Sequence, residues 1–435
     1  MRGIAKLMNN WQFAKPGEAA VAVDLPHTWN AKDGQDGGND YWRGTCTYTT
    51  TFDAPAFDKT TQQVWLQFEG VNASAKVTLN GIEICRHDNG YATFRAEITG
   101  LLQAQNTLVV EVDNSVNDHV YPQKADFTFY GGIYRDVSLL TVNRDHIALG
   151  HCGDTGVKIT PAVKTGCADI TVETRVEGKG SVEVELLDAS GRQAAKASGE
   201  KAVLTLQNPH LWDGVKDPYL YTCVVRLMQD GQPVDEVTTK VGIRSFSVDA
   251  KKGFFLNGKP YPLHGVSRHQ DRKGLGNAIT REMHDEDMNL IRELGVNTVR
   301  LAHYQHDQYF YDLCDQYGMV VWAEIPYISE HLPNGRENTI SQMKELIYQN
   351  YNHPCIVCWG VSNEITISTK DKADMLDNHH VLNDLCHKMD PTRLTTLACY
   401  AMCGPFNPVA HITDLVSWNL YLGWYVPGLF LNDLW

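Results

Sequence analysis

Asn352-His353-Pro354-Cys355-Ile356-Val357-Cys358-Trp359-Gly360-Val361-Ser362-Asn363-Glu364 is the stretch that decides the fold. Between Pro354 and the polar pair Asn363-Glu364 runs an apolar segment, Cys355 to Val361, with no polar alternation. Such a run reads as a strand buried on both faces, as in a parallel sheet wrapped by helices. In a (β/α)8 barrel, the groups that do chemistry stand where strands pass into loops at the C-terminal face. Glu364 occupies that place, so the stretch predicts a barrel and a carboxylate at its mouth. Cys355 and Cys358 form a C-x-x-C, but residues three apart on a strand point to opposite faces, whereas a redox or zinc pair needs converging sulfurs.

Outward from this stretch, residues 247–435 alternate strand and helix patterns. Strands are expected at residues 261–266, 296–301, 319–323, 355–362, 394–398 and 415–419. Helices are expected at residues 280–294, where Asp285, Glu286 and Asp287 place acidic charge in the early turns, and at 307–317 and 339–348. Six strands in β-then-α order argue for a (β/α)8 barrel. Polar groups gather just after these strands: Arg268 and His269, His303 and Tyr304, Glu324, Asn363 and Glu364, then Asn419, Tyr421 and Tyr425. A single histidine near a strand end is more often structural. Their accumulation at one end predicts a polar, aromatic-walled pocket suited to a hydroxyl-rich ligand.

Toward the N-terminus the period changes to two. In residues 1–145, short alternating runs such as Val64-Trp65-Leu66-Gln67-Phe68 and Ala75-Lys76-Val77-Thr78-Leu79, closed by turn pairs such as Asn80-Gly81, predict a two-sheet, jelly-roll-like β-sandwich. Trp29, Tyr41, Trp42 and Arg43 form an aromatic cluster read as packing. In Tyr130-Gly131-Gly132-Ile133-Tyr134-Arg135-Asp136-Val137 the double glycine permits close backbone approach, and Arg135-Asp136 is placed to pin a strand end. Residues 146–246, with Val182-Glu183-Val184-Glu185-Leu186 and turns at Ser190-Gly191-Arg192 and Gln229-Asp230-Gly231, predict an immunoglobulin-like sandwich that carries no chemistry.

Composition excludes several classes. The chain has 435 residues, is 43% hydrophobic and carries a net charge of −14. That charge argues against nucleic acid or an anionic membrane as partner. No export signal and no run of about 18 apolar residues is seen, so the expectation is a cytoplasmic protein with no membrane span. Its eleven cysteines, odd in number and scattered, then read as reduced core thiols.

Four passages together resemble glycoside hydrolase family 2, the family of β-galactosidases, β-glucuronidases and β-mannosidases. They are Tyr130 to Val137; Gly265-Val266-Ser267-Arg268-His269; Asn297-Thr298-Val299-Arg300-Leu301-Ala302-His303-Tyr304, continued by Tyr311-Asp312-Leu313-Cys314-Asp315 and Gly318; and Asn352 to Glu364. Their order matches the family over nearly the whole chain, as does the order sandwich, immunoglobulin-like sandwich, barrel. The resemblance implies that Glu364 is the general acid/base and that Asn363 hydrogen-bonds the sugar 2-hydroxyl. His303 and Asp126 match residues reaching the far hydroxyls, Asp126 coming from the first sandwich. His269 and Arg300 match the barrel mouth, Arg300 as an organiser of carboxylates, and Asn419, Tyr421 and Tyr425 match the pocket wall.

The implied activity is a retaining exo-β-glycosidase, which holds two carboxyls about 5 Å apart, one attacking the anomeric carbon and one protonating the leaving oxygen. The family nucleophile is a glutamate after strand seven, and no Glu follows Glu364 here. The expectation is therefore an incomplete barrel of six strands, inactive by itself, either a fragment of a longer enzyme or a chain whose remainder is supplied some other way. No redox cofactor is required. Some β-galactosidases hold magnesium through a Glu-x-His after strand three; here Glu330 and His331 are adjacent and shifted, so no metal is expected, and Glu324 is read as a pocket carboxylate or hydrogen-bond organiser. The implied partner is a small-molecule or oligosaccharide β-glycoside, and family members are often homo-oligomers. Arg268-His269-Gln270-Asp271 and Ala302-His303-Tyr304-Gln305-His306 most resemble bacterial β-galactosidases; a β-glucuronidase or other β-uronidase is the alternative. A non-catalytic carbohydrate-binding protein is the reading of another class, should the chain truly end at Trp435.

Overall fold

The unbroken apolar run becomes a strand, Ile356–Asn363, buried at every position. The structure, a computed structural model, describes residues 2–33 and 41–421. The buried strand is the fourth of six parallel strands in sequence order: Gly265–Arg268, Thr298–Leu301, Val320–Glu324, Ile356–Asn363, Leu394–Tyr400 and Leu415–Asn419. They are called barrel strands one to six below. Helices α1 (Arg281–Glu293), α2 (Gln308–Tyr317), α3 (Arg336–Asn350) and α4 (Lys372–Met389) follow strands one to four. Asp307 caps α2 by accepting the Tyr309 N–H at 2.9 Å, and Gly318 ends it in the left-handed conformation, the start and stop chemistry helices use.

Two sequence expectations shift. Strand one forms later than residues 261–266, because Pro260 and Pro262 have no N–H to give a ladder; pairing with strand two starts at Gly265. Helix α4 lies beyond the three helix ranges expected from sequence, and Asp371 caps it through the Ala373 and Asp374 N–H groups. Cys355 and Cys358 do diverge. The Cys355 thiol lies against the Tyr311 carbonyl on α2, and Cys358 lines the barrel interior. All eleven cysteines are free, seven of them buried. Among the described residues no helix is long and apolar enough to cross a membrane.

The first sandwich packs a four-stranded antiparallel sheet (Gly3–Lys6, Val137–Asn143, Gln62–Phe68, Phe94–Glu97) on a six-stranded one running from Val21–Val23 through Gln105–Asp113 to Ile82–His87. Its core is the alternate residues of these strands, among them Val64, Leu66, Phe68, Val77 and Leu79. Gly131 packs on Trp29, and a β-carbon there would lie 1.9 Å from the indole. The second sandwich has three- and four-stranded sheets around Ile159, Val172, Val184 and Val225.

Polar seams fix both sandwiches to the barrel. Arg135 donates to the Tyr91 carbonyl (2.7 Å) in its own domain and to Gln270 Oε1 (3.0 Å) and the Gln305 carbonyl (3.1 Å) in the barrel. It therefore pins a domain junction, not merely a strand end. Glu345 of α3 binds His87 at 2.8 Å and Asn89 at 2.5 Å. From the deciding stretch, Asn352 exchanges hydrogen bonds with Ile159 and Val157 of the second sandwich, and the Pro354 carbonyl accepts from Arg244.

Candidate active site

At the C-terminal ends of strands two, three, four and six, one arginine gathers the polar residues. Arg300 donates to both oxygens of Glu324 (3.1 and 3.0 Å), to Asn363 Oδ1 (2.8 Å) and to Asn419 Oδ1 (3.2 Å), its guanidinium lying 4.0 Å from the Trp322 ring. Glu324 is fully buried. Burial works to raise its carboxyl, yet Arg300 and His303 hold it below the ordinary range. The space for it comes from Gly360 on strand four, where a β-carbon would fall 2.5 Å from that of Glu324. His303 Nδ1 stands 2.5 Å from Glu324 Oε1 and 3.2 Å from an Arg300 nitrogen. A nitrogen that donates its proton to the carboxylate cannot also accept one, so the second approach is proximity. Arg300 thus bonds one carboxylate and two amides at once.

Glu364 follows strand four directly, its backbone left-handed at φ 51° and its N–H bound to the Ala398 carbonyl of strand five at 2.7 Å. That conformation is uncommon for a non-glycine residue and sets the side chain off the strand's own face. Asn419 Nδ2 donates to Glu364 Oε1 (2.8 Å) and to Asn363 Oδ1 (3.0 Å). Glu364 and Asn419 line a cavity of about 460 Å³ together with Asp126 and Tyr421. Asp126 arrives from the first sandwich, so the cavity is a two-domain site.

Other expected residues are placed differently. His269 is held by Tyr304, whose hydroxyl is 3.1 Å from its Nδ1, and its ring packs on His303 and Phe127. Burial first, and His303 second, lower its pKa to about 4. Neither His269 nor His303 lines the Glu364 cavity; they form an adjoining aromatic shelf. Arg268 points the opposite way, to Asp287 and His284 of α1, because adjacent strand residues face opposite sides. Tyr425 lies outside the described residues.

Several contributors were missed by the sequence reading. Phe127 and Tyr91 pack across the domain junction against Tyr304, a residue the sequence places at the mouth, with Tyr91 stacked on it at 4.4 Å. Ile328, Ile367, Tyr400 and Met402 also line the cavity. Tyr400 ends barrel strand five, and the other three sit in turns and loops, where periodicity gives no signal.

His331 does not approach Glu324. It bonds to the Tyr327 hydroxyl and to Asp374, both at 2.6 Å. Asp315, His353 and Cys355 converge closely enough to hold a cation, but Asp315 is already committed to His353 Nδ1 (2.6 Å) and to the Cys355 N–H (3.0 Å). The cluster is accounted for as an ion pair that fixes the entry to strand four.

Comparison with known proteins agrees with this architecture. Residues 247–434 match the model of the glycosyl hydrolases family 2 TIM barrel domain. Residues 30–149 match the glycosyl hydrolase 2 galactose-binding domain-like model, and residues 153–244 match the model for glycosyl hydrolases family 2. The crystal structure of an FMN-binding β-glucuronidase from Faecalibacterium prausnitzii L2-6 superposes with a TM-score of 0.94 at 41% identity, covering 98% of this chain and 68% of that one. A β-glucuronidase of Bacteroides fragilis is 38% identical over 96% of this chain and 64% of its own length. A β-galactosidase of Thermoanaerobacter pseudethanolicus is 30% identical over 77% of this chain and 46% of its own. The chain thus spans about half to two thirds of the curated relatives it matches.

Proposed function

Because this chain belongs to glycoside hydrolase family 2, we propose that it carries the acid/base half of a retaining β-glycosidase. Glu364 protonates the oxygen that links sugar to leaving group, then takes a proton from the water that releases the sugar. The observation that carries this reading is the Glu364 carboxylate at a barrel strand end, oriented by Asn419 at 2.8 Å in a cavity shared with Asp126 and Tyr421. On this reading Asn363, held by Arg300 and Asn419, meets the sugar 2-hydroxyl, and Asp126 a more distant one. Glu324 is buried and paired with Arg300 and His303, so it organises and does not attack. The attacking carboxylate is assigned outside residues 2–33 and 41–421.

For the sugar, the names of the similar proteins favour a β-glucuronide. A β-galactoside is the second reading, supported by the Thermoanaerobacter relative and by the sequence around Arg268 to Asp271. The test is hydrolysis of 4-nitrophenyl β-glucuronide and β-galactoside by the full-length gene product. Turnover of the glucuronide at least about tenfold faster in kcat/KM supports the first reading, and the reverse supports the second. Binding of either sugar without hydrolysis would leave a carbohydrate-binding protein and overturn the enzymatic reading.

A further inference from the structure

Two thiols meet behind the wall of the Glu364 cavity. Cys399 lies one residue before the end of barrel strand five, and Cys403 closes the single 3-10 turn, Ala401–Cys403, that follows it. Gly404, at a φ of 79°, then turns the chain away. The residues between the two cysteines, Tyr400, Ala401 and Met402, all line the cavity. Strand parity turns Cys399 the other way, into the barrel core, and Cys403 packs against the same core. There the two thiols are hydrogen-bond partners, both of them free. Thr366 Oγ1, from the turn after Glu364, donates to Cys403 Sγ at 3.8 Å. Cys399 is buried at 2% exposure, whereas Cys403 is partly exposed.

We propose that Cys399 and Cys403 are a reversible dithiol–disulfide pair, whose closure by a small-molecule disulfide reshapes the Glu364 cavity and slows hydrolysis there. The effect on rate rests on the glycosidase reading of Glu364; the pairing does not. Converging sulfurs can join with little backbone movement, unlike those of Cys355 and Cys358. Burial, then the neighbouring thiol, pushes Cys399 up to about 12 and keeps it protonated, which leaves the partly exposed Cys403 to react first. Its thiolate attacks one sulfur of the small disulfide, forming a mixed disulfide and releasing one thiolate. Cys399 then gives up its proton and attacks Cys403 Sγ, which forms the protein S–S bond and releases the second thiolate. The two cysteine protons end on the two released thiols; the small disulfide gains two electrons and the protein loses two. A covalent S–S bond is shorter than any contact between free thiols, so closure draws the turn onto strand five. That strand end is tied to the acid: the Ala398 carbonyl accepts the Glu364 N–H at 2.7 Å, and Tyr400 pairs with Asn419, whose amide binds Glu364 Oε1.

The test treats the reduced full-length protein with oxidised glutathione, which spares methionine, and reads mass and turnover together. Expected are the loss of two hydrogens from the peptide carrying both cysteines, a fall of at least about tenfold in kcat/KM for the glycoside the protein accepts, and recovery of both with dithiothreitol. Cys403→Ser, which keeps an acceptor for Thr366, should cleave at the parent's rate and lose its sensitivity. Cys399→Ala should stop at a glutathione adduct on Cys403. Both cysteines left free in the parent, or a glutathione adduct that stays on Cys403, would overturn the pair. A disulfide formed with the rate unchanged, or inhibition that persists in Cys403→Ser, would overturn the switch. Each of these outcomes leaves the glycosidase reading intact. A reduced parent that cleaves no β-glycoside would overturn that reading and the effect on rate together, with the pairing still decided by mass.

Discussion

The two ends of barrel strand four are built from the same kinds of residue and do opposite things. At its N-terminal end every strong polar group is consumed by the protein. Arg393 donates to Asp390 (2.8 Å) and to the carbonyls of Ile356, Tyr351 and His353, and Trp359 Nε1 completes Asp390 at 3.0 Å. Burial works against a charged His353, but Asp315 lifts it above its ordinary value. At the C-terminal end Arg300 is saturated in the same way, but the network stops short at Glu364, which keeps contact with solvent in the cavity. Equal chemistry is closed at one end and left with spare valence at the other. That is the division expected of a barrel, stability at the bottom and function at the top.

The sharpest way to break the comparison is to change one carboxylate at each end. At the top, Glu364→Gln keeps an acceptor for Asn419 but loses the transferable proton. Hydrolysis of an alkyl glycoside by the full-length protein should fall by a factor of about 10² to 10⁴, with a melting temperature within a degree or two of the parent. At the bottom, Asp390→Leu strands a cation of 5% side-chain exposure. Denaturant unfolding should show a loss of about 3–5 kcal/mol, with kcat per folded molecule little changed. If the top variant melted early and the bottom one did not, the division would be wrong.

Asn419 sharpens the comparison from inside the network. Its amide joins Glu364 to Asn363 and receives Arg300, so Asn419→Ala should cost roughly one to two hydrogen bonds, about 1–2 kcal/mol. Read as kcat/KM, that is a loss of about five- to thirtyfold, expected mainly in kcat if the bonds position the acid, and mainly in KM if Asn419 only binds sugar.

Strand four and the group after it were legible because a doubly buried strand leaves an unbroken apolar run, and a strand end is a sharp boundary. The hub role of Arg300 came through the resemblance; its partners lie on other strands and no spacing rule reaches them. Arg268 was grouped with the mouth residues although strand parity turns it toward α1. Helix α4 had no bounds in the sequence, because its eighteen residues mix charges and histidines among the apolar positions. The junction through Arg135, Tyr91 and Tyr304 is wholly non-local, which no window of sequence displays.

That junction supplies a smaller test of how the mouth is held, because it carries the sandwich that brings Asp126. Glu69 lies on it. Burial, then the negative charges of Asp307 and Asp136, raise its pKa to about 7 against Arg135. The folded protein therefore binds this proton more tightly than the unfolded chain, whose carboxyl has the ordinary value of 4.5. The sign follows: the protonated form is no burden below pH 4.5, the cost of ionising builds between 4.5 and 7, and it is complete above 7. Glu69→Gln removes that cost and keeps an oxygen for the Gln67 amide. Partial solvent contact screens the effect, so the expected gain is about 1 kcal/mol at pH 8, with none at pH 4.5. Melting curves of parent and variant at the two pH values measure it. A variant stabilised equally at both would mean that packing, not ionisation, limits the junction. A variant destabilised at pH 8 would mean that the charged carboxylate is held there by Arg135, so that the seam, like the bottom of strand four, is closed by its ion pairs.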